Sequence, residues 1–505
     1  MWATIIRIGF CLLAVTSNLL AGMAEGANRP GYAIVTSSAI RSASAQLDDF
    51  VLHKEGRGFD VYVFDEADWG GAGLAGDAAA EALRTFLGTA ELALGFEYLL
   101  IIGDPRPATG PVPMKLLYPR NTGAVGTTPV GGSVICDFAQ TSVPSDYYYA
   151  ELDGNWDLDG DGKFGEFGDS SAIGSPSGDF GIGGVEREHE LFVGRIPVYS
   201  SPSAPSVFEQ GMLDLDHILA KTIAYQSAPP ASISWRLSAL IATEGANRFF
   251  YGESIRDDFL LGEGFSPIYR VYDSAACTQA GSCNPSLSDP PDSDICSVPE
   301  VEAGWTAETP GIVTWLTHGG GIGAQAVMNS STTGVLDDEF PAITFQASCL
   351  NSQPSATNNL SYSLLINGAI ATVGATVISH GPGSPVDLSS AAHLSGNAGM
   401  GYAFTRKVAV DRQSVGQALM AIKRDHTLYG RCWYWQNFTG FNLYGDPEVS
   451  LYSTAAQNVP LTTPFFVAFL ASLLVAMGGY QLLPKGRRAG STPRPGTRRR
   501  TRWLK

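Results

Sequence analysis

The chain contains few charged side chains and shows no internal sequence repeat. Asp, Glu, Lys and Arg make up only 16% of its residues, whereas apolar types make up 44%. This composition excludes a disordered chain. Its 505 residues are enough for two or three domains with a substantial core.

Positive charge is concentrated in the C-terminal tail. The residues after Pro484 include nine Lys or Arg and no acid, so the net charge of −17 becomes −26 for residues 1–484. A strongly acidic body argues against nucleic acid as a partner and suits a metal-loaded extracellular protein. The basic tail follows an apolar segment, which favours a membrane as its neighbour.

Both ends of the chain carry targeting patterns. Residues 1–24 place Arg7 before a short apolar run and small residues, the layout of a secretory signal peptide. A linker at 454–463 leads to residues 464–483, which are uncharged and long enough for a transmembrane helix. The basic residues in 484–505 predict a cytoplasmic tail and an exported body at the cell envelope or surface. A sorting tag that is removed from a bacterial surface protein is the alternative.

Cysteine is rare, and an exported body permits disulfides. Cys277, Cys283 and Cys296 lie close together in a loop-like insert. A local bridge is expected there, and its pairing stays open.

Apolar runs alternate with helical patterns through most of the body. Strands are predicted at about residues 31–40, 60–66 and 97–104, with helices between them. The alternation predicts an α/β fold with mainly parallel sheets. A linker divides the body into an N-terminal α/β subdomain, residues 28–228, and a second one, residues 229–453.

An acidic loop in the first subdomain has the opening pattern of a calcium site. Asp157, Asp159 and Asp161 alternate before Gly162, as in a DxDxDG loop whose hard oxygen ligands surround one cation. An EF-hand would place Glu at the twelfth position, where this chain has Gly168. A structural Ca²⁺ is therefore expected, with a solvated acidic turn as the alternative. The candidate ligand set is Asp157, Asp159, Asp161, Lys163, Glu166 and Asp169.

Two apolar runs in the second subdomain end in residues with useful chemistry. GIVTWLTHGGG contains His318, and PAITFQASCL contains Cys349. Runs of this kind are typical of buried parallel strands, and ligands bind at the carboxyl ends of such strands. The two side chains are candidates for a base and a nucleophile, with a loop His and a structural Cys as the alternative.

Several motifs together resemble the gingipain-type cysteine peptidases over most of residues 30–453. SDYYYAELDG and VGRIPV are similar to the first subdomain of that family. ALIATEG with GES, VTWLTHGG, ITFQASCLN and NLYGDP are similar, in this order, to its second subdomain. The resemblance implies a caspase-like α/β/α sandwich in two subdomains, here followed by a C-terminal transmembrane helix.

The resemblance also implies roles for individual residues. Cys349 matches the nucleophile, His318 the base and Glu244 the acid that orients the base. The backbone N–H groups of Gly319 and Cys349 match the oxyanion hole. The implied activity is Cys-His-Glu hydrolysis of peptide bonds in protein or peptide substrates.

The chain departs from the arginine-specific members at the predicted substrate pocket. Ile255 stands where those enzymes have Asp, and His380 lies near the position of their flanking aromatic residue. An apolar floor cannot pair with a guanidinium, so no preference for Arg is expected. Asp257 or Asp258 could restore a basic preference if the loop is shifted.

The sequence thus predicts a secreted, membrane-anchored cysteine endopeptidase that binds no nucleic acid. An envelope processing peptidase or transpeptidase is an alternative within the same fold. A non-catalytic, calcium-stabilised surface protein is the alternative from another class.

Overall fold

The computed structural model describes most of the body of the chain. The described residues are 29–119, 126–127, 133–134, 142–167, 178–179, 181, 183–201, 203–245, 247–273, 287, 289–382, 385–391, 393–425 and 432–454. The predicted signal peptide, transmembrane segment and basic tail lie outside them, as does the linker after Thr454. None of the helices within the described residues has the length and apolar character needed to cross a bilayer.

Ten strands form one central sheet. In chain order they are β1 Gly31–Val35, β2 Asp60–Phe64, β3 Phe96–Ile102, β4 Phe192–Ile196, β5 Ala239–Thr243, β6 Ile268–Tyr272, β7 Ile312–Leu316, β8 Ala342–Ala347, β9 Ala369–Ala375 and β10 Phe441–Gly445. Their order across the sheet is β6-β5-β7-β8-β9-β10-β4-β3-β1-β2. Neighbouring strands are parallel except β9 and β10. The prediction of a mainly parallel α/β fold is confirmed.

Shorter strands lie outside the central sheet. They pair as Lys115–Leu117 with Val143–Ser145 and Gly126–Thr127 with Ser133–Val134, while Gly323–Ala324 pairs with both Gly319–Gly320 and Met328–Asn329. The last three form a small antiparallel sheet directly after β7.

Ten α-helices cover the sheet in the described residues. They are α1 Ser38–Ala43, α2 Leu47–Gly56, α3 Gly76–Leu94, α4 Pro205–Ser227, α5 Phe250–Ile255, α6 Val298–Glu308, α7 Leu360–Ile366, α8 Asn397–Ala409, α9 Val415–Asp425 and α10 Cys432–Gly440. A π-helical segment, Arg256–Leu260, continues α5. The predicted strand at 31–40 ends at Val35, because the Ser37 side chain accepts a hydrogen bond from the Ile40 N–H and begins α1.

Alternation along the strands produces two apolar faces. Val35 and Leu99 lie in a core with side chains of α3, α5, α8 and α9, whereas Ile34 and Leu100 lie in a core with α2 and α4. A third core packs α6 and part of α7 on β5 and β7. Since both faces are covered, most strands are buried along their whole length, which explains their continuous apolar sequences.

The two predicted subdomains share the central sheet rather than each forming a sheet of its own. β4 of the first half pairs with β10 of the second through Arg195 and Tyr444. The fully buried Arg195 guanidinium binds both carboxylate oxygens of Asp146, at 2.6 and 2.7 Å. This bidentate pair supplies the partner that a buried charge requires.

Candidate active site

Three parallel strands end at the same level of the sheet. Thr243 of β5 pairs with Leu316 of β7, and Leu316 pairs with Ala347 of β8. Each strand is followed within two positions by one of the predicted catalytic residues, which are Glu244, His318 and Cys349. The shared register therefore places all three at one edge of the sheet.

The Cys349 thiol is half-buried and faces the loop after β9. Its Sγ atom lies 3.6 Å from the Ser379 carbonyl oxygen and 4.0 Å from the Ser379 hydroxyl oxygen. The Asn397 side chain donates to the same hydroxyl at 3.0 Å. The other described free cysteine, Cys296, is buried, and burial raises the pKa of its thiol to about 12. Cys349 is accordingly the more accessible of the two described thiols.

Gly319 packs directly against the nucleophile segment. A Cβ atom at this position would lie 2.3 Å from the Cys349 carbonyl oxygen and 2.9 Å from its nitrogen. No larger residue fits there without moving one of the two segments. The Asn351 side chain reinforces this contact by donating to the carbonyl oxygens of Gly320 and Gly323, at 2.9 and 3.1 Å.

The His318 ring is exposed and hydrogen-bonded to Arg248. Arg248 Nη2 lies 2.8 Å from His318 Nε2. A guanidinium only donates, so Nε2 is the acceptor in this contact and the proton of the neutral ring is assigned to Nδ1. Within the described residues, His318 and the Cys349 sulfur share no hydrogen bond, although their backbones are adjacent.

The Glu244 carboxylate binds three side chains. Oε2 lies 3.5 Å from Arg248 Nη1 and 3.3 Å from the Thr317 hydroxyl, and Oε1 accepts from Gln325 Nε2 at 3.1 Å. Gln325 also donates its backbone N–H to the His318 carbonyl oxygen at 2.8 Å. In the described structure Arg248 lies between Glu244 and His318, which have no direct hydrogen bond.

Strained backbone accompanies these residues. Asn247, Ala326 and Leu350 have positive φ angles of 71°, 58° and 63°, and each directly neighbours Arg248, Gln325 or Cys349. Non-glycine residues in this conformation cost free energy and cluster at functional sites. These three are half of the six non-glycine residues with positive φ in the described part of the chain, the others being Arg187, Thr309 and Arg412.

The residues predicted to form the substrate pocket have different surroundings. Ile255 is fully buried in the core and leaves no apolar floor open to solvent. His380 is half-buried next to Ser379, burial lowers its pKa, and its backbone N–H donates to Asn437 at 2.8 Å. Asp257 and Asp258 line a neighbouring cleft of about 440 Å³.

The acids of that cleft have partners. Asp257 binds Arg256 at 2.5 Å, and Asp258 accepts from the Tyr402 hydroxyl at 2.9 Å. Glu253 binds Arg270 at 3.1 Å, and Asp387 accepts from the Ser389 hydroxyl.

Two further clefts lie at different positions relative to the carboxyl-end edge of the sheet. One of about 350 Å³ runs along His318 and the small antiparallel sheet that follows it. A larger one of about 640 Å³ lies between α4 and residues 337–341. Because Pro341 precedes β8, the larger cleft is at the amino ends of the strands, away from the predicted chemistry.

The acidic loop brings carboxylates together as predicted. The side-chain oxygens of Asp157, Asp159 and Asp161 lie within 4.8 Å of one another, close enough to hold one metal ion. Lys163 Nζ lies 2.5 Å from Asp161 and 4.0 Å from Glu166. Asp169 of the predicted ligand set lies outside the described residues.

Glu166 is the buried member of this group. Its side chain is 2% exposed, and its Oε1 atom has no hydrogen-bond partner among the described residues. Burial and then the neighbouring Asp161 raise its pKa to about 7. A buried carboxylate oxygen facing other carboxylates fits a hard cation such as Ca²⁺.

Sequence reasoning missed three residues of this site. Arg248, Gln325 and Ser379 are brought to the predicted catalytic residues by loops whose paths depend on the whole sheet. The only local signal was the spacing of Arg248, four residues after Glu244.

The fold and the site define an α/β protein with a thiol and an imidazole on neighbouring strand ends. The model of Peptidase family C25 matches residues 26–452. The chain therefore belongs to this family, the gingipain family of cysteine peptidases. No curated protein sequence matches the chain significantly.

Solved structures of the same fold are distant in sequence. The crystal structure of the Arg-specific cysteine proteinase gingipain R shares 14% identity, with a TM-score of 0.55 over 84% of this chain and 78% of that one. A complex of the pro- and mature domains of RgpB from Porphyromonas gingivalis shares 15% identity, with a TM-score of 0.55 over 83% and 79%. At such identities the likeness establishes the fold alone.

Proposed function

We propose that this protein is a cysteine endopeptidase in which Cys349 is the nucleophile and His318 the base. The observation that carries the proposal is the packing of Gly319 on the Cys349 backbone at the level ends of β7 and β8. This contact sets the thiol-bearing and imidazole-bearing segments side by side, as a nucleophile and base pair requires.

The chemistry assigned to these residues has two stages. The Cys349 thiol gives its proton to His318, and the sulfur bonds to the substrate carbonyl carbon while the backbone N–H groups of Gly319 and Cys349 stabilise the oxyanion. His318 then gives the proton to the leaving amine, and a water molecule hydrolyses the thioester. These reaction steps require the His318 ring to break its hydrogen bond with Arg248. Glu244 is the charged partner that positions the side chains around the ring.

The test uses the two described free thiols as a matched pair. A thiol-reactive peptide ketone should label Cys349 and spare Cys296, as mapped by mass spectrometry. Cys349→Ala should abolish cleavage of a mixed peptide library, and Cys296→Ala should retain it. Cleavage by the Cys349→Ala protein would falsify the assignment of the nucleophile.

We also propose that the enzyme does not prefer Arg at the cleavage site. The supporting observations are the absence of an acid at position 255, where the fully buried Ile255 stands, and the existing partners of Asp257 and Asp258. Profiling the body of the protein on a peptide library tests this, and dominant cleavage after Arg would contradict it.

The setting of the activity is part of the proposal. The N-terminal signal pattern and the apolar segment at 464–483 support an exported body anchored at the envelope, acting on protein or peptide substrates. An envelope processing peptidase or transpeptidase would use the same residues and differ in the amine or water that accepts the acyl group. A non-catalytic surface protein would leave Cys349 unlabelled.

We further propose that the acidic loop holds a structural Ca²⁺ ion. The three clustered aspartates and the buried Glu166 oxygen, which accepts no hydrogen bond from the described residues, support this assignment. Ca²⁺ at about 100 times its dissociation constant should stabilise the fold by about 3 kcal/mol. Chelation should lower the melting temperature of the wild-type protein, but not that of Asp159→Asn, with the exposed Asp48→Asn as control. An unchanged wild-type value would contradict the proposal.

A further inference from the structure

Arg248 occupies a position that the proposed chemistry does not use. It lies in the loop between β5 and α5, and its side chain is 29% exposed. Its guanidinium contacts the ring of the proposed base at 2.8 Å and the Glu244 carboxylate at 3.5 Å.

The contact with His318 blocks the proposed proton transfer. With Nε2 accepting from Arg248, this nitrogen cannot also take the proton of the Cys349 thiol. A protonated imidazole would moreover lie against a permanent positive charge. The Cys349 sulfur meanwhile contacts Ser379 rather than the ring. The proposed mechanism therefore requires Arg248 to move away from His318 before the thiol can be deprotonated.

The hold of Glu244 on Arg248 is weak. The distance of 3.5 Å is well beyond that of an ordinary N–H···O hydrogen bond, and Gln325 and Thr317 share the same carboxylate. A guanidinium has five N–H donors in a planar fork that matches a carboxylate with two parallel hydrogen bonds. A new carboxylate that entered from solvent would therefore bind Arg248 better than its present partners do.

We propose that Arg248 selects substrates with a carboxylate next to the scissile bond, and that this carboxylate draws the guanidinium off His318. The inference rests on the proposed peptidase function and names its substrate class. The body is strongly acidic, so a preference for anionic substrates has to come from this local cation rather than from the overall field.

Paired peptides that differ only in charge test the inference. Asp or Glu at each residue flanking the cleavage site is compared with Asn or Gln, and free C-termini are compared with amidated ones. One charge-assisted hydrogen-bonded pair should favour the acidic peptide roughly tenfold or more in kcat/KM. A preference for internal acids indicates an endopeptidase, and a preference for free C-termini alone indicates recognition of the chain end.

Arg248→Met should bring the kcat/KM ratio between acidic and neutral peptides close to one. Arg248→Lys should keep only part of the preference, because an ammonium lacks the planar fork. The exposed Arg41→Met is the matched control and should keep the wild-type ratio. Equal cleavage of Asp and Asn peptides by wild type, or a preference that survives in Arg248→Met, overturns the inference.

Binding to the Cys349→Ala protein separates this inference from the proposed function. Calorimetry should show roughly tenfold tighter binding of Asp peptides than of Asn peptides, and Arg248→Met should remove the difference. Equal binding overturns the role of Arg248 even where cleavage occurs. A binding difference without any cleavage by the unmodified chain overturns the peptidase assignment alone.

Discussion

The carboxyl-end edge of the sheet differs between the two halves of the molecule. In the first half, Asp104 follows β3 and is buried, with hydrogen bonds from the side chain and N–H of Arg106 and from the Ser200 N–H. In the second half, His318 follows β7 and is exposed, with Arg248 as its side-chain partner. The same sheet position thus holds loops together in one half and leaves reactive groups accessible in the other.

Of the six described non-glycine residues with positive φ, one lies in the first half, Arg187 ahead of β4, and five lie in the second half. Asn247, Ala326 and Leu350, all with positive φ, adjoin site residues of the second half. A protein retains such conformations where the surrounding structure enforces them, which is typical of functional sites. We therefore expect substitutions at the carboxyl-end edge of the sheet to change stability in the first half and activity in the second.

The largest effect is expected for Gly319→Ala. The new methyl group would clash with the Cys349 backbone, and moving this segment displaces both N–H groups of the proposed oxyanion hole. Loss of one such donor lowers the rate roughly 10²–10³-fold. Gly320→Ala is the control, because a Cβ there meets no atom of the described residues within 4 Å. Steady-state kcat/KM checks the prediction, and equal activity of the two variants would contradict it.

Glu151 is a buried acid of the first half that differs from Asp104 in its contacts. Neither of its carboxylate oxygens has a hydrogen bond within the described part of the chain, and Arg84 is 3.6 Å away. Burial raises its pKa from 4.5 to about 7. Between these values the folded protein holds a proton that the unfolded chain has lost, so the stability present at low pH is lost as pH rises through 7.

Glu151→Gln should remove the loss of stability that accompanies the rise in pH. Because one pKa unit corresponds to 1.36 kcal/mol, the variant should gain up to about 3 kcal/mol relative to wild type between pH 5 and pH 8. Urea unfolding at several pH values measures the difference. The exposed Glu55→Gln should show no such trend, and a parallel response of both variants would exclude Glu151 as the cause.

Asp104→Asn should destabilise the protein without affecting peptide cleavage. The substitution removes a buried charge that binds the Arg106 side chain and two backbone N–H groups. Unsatisfied groups of this kind cost about 1–3 kcal/mol. The urea midpoint should fall relative to the exposed control Asp153→Asn, while kcat/KM stays at the wild-type value. If Asp104→Asn lost activity while keeping wild-type stability, the first half would not differ from the second in the way proposed.

Local patterns sufficed for the parts of this structure that depend on neighbouring residues. The apolar runs before His318 and Cys349 predicted two buried parallel strands, and the structure contains them as β7 and β8. The alternating aspartates predicted a cluster that the structure also contains. These features follow from hydrophobic periodicity and short-range spacing.

Pairings across the chain could not be predicted from such patterns. The junction of β4 with β10 joins Arg195 to Tyr444, and no local preference encodes it. The contact of Arg248 with His318 likewise depends on two loops that only the sheet order brings together. The sequence identified the candidate reactive groups, whereas their partners came from tertiary structure.

Glu244→Gln should have the smallest effect. The neutral amide attracts Arg248 less, so the guanidinium should hold His318 more firmly, and kcat/KM should fall by less than about tenfold, because the 3.5 Å contact is weaker than a full charge-assisted hydrogen bond. The urea midpoint should stay near that of wild type, because Glu244 is partly exposed. Adding Arg248→Met should then restore part of the activity, which a double-mutant cycle measures. If Glu244 instead orients His318 directly, the second substitution should restore nothing, and the role carried over from the family would replace the one inferred for Arg248.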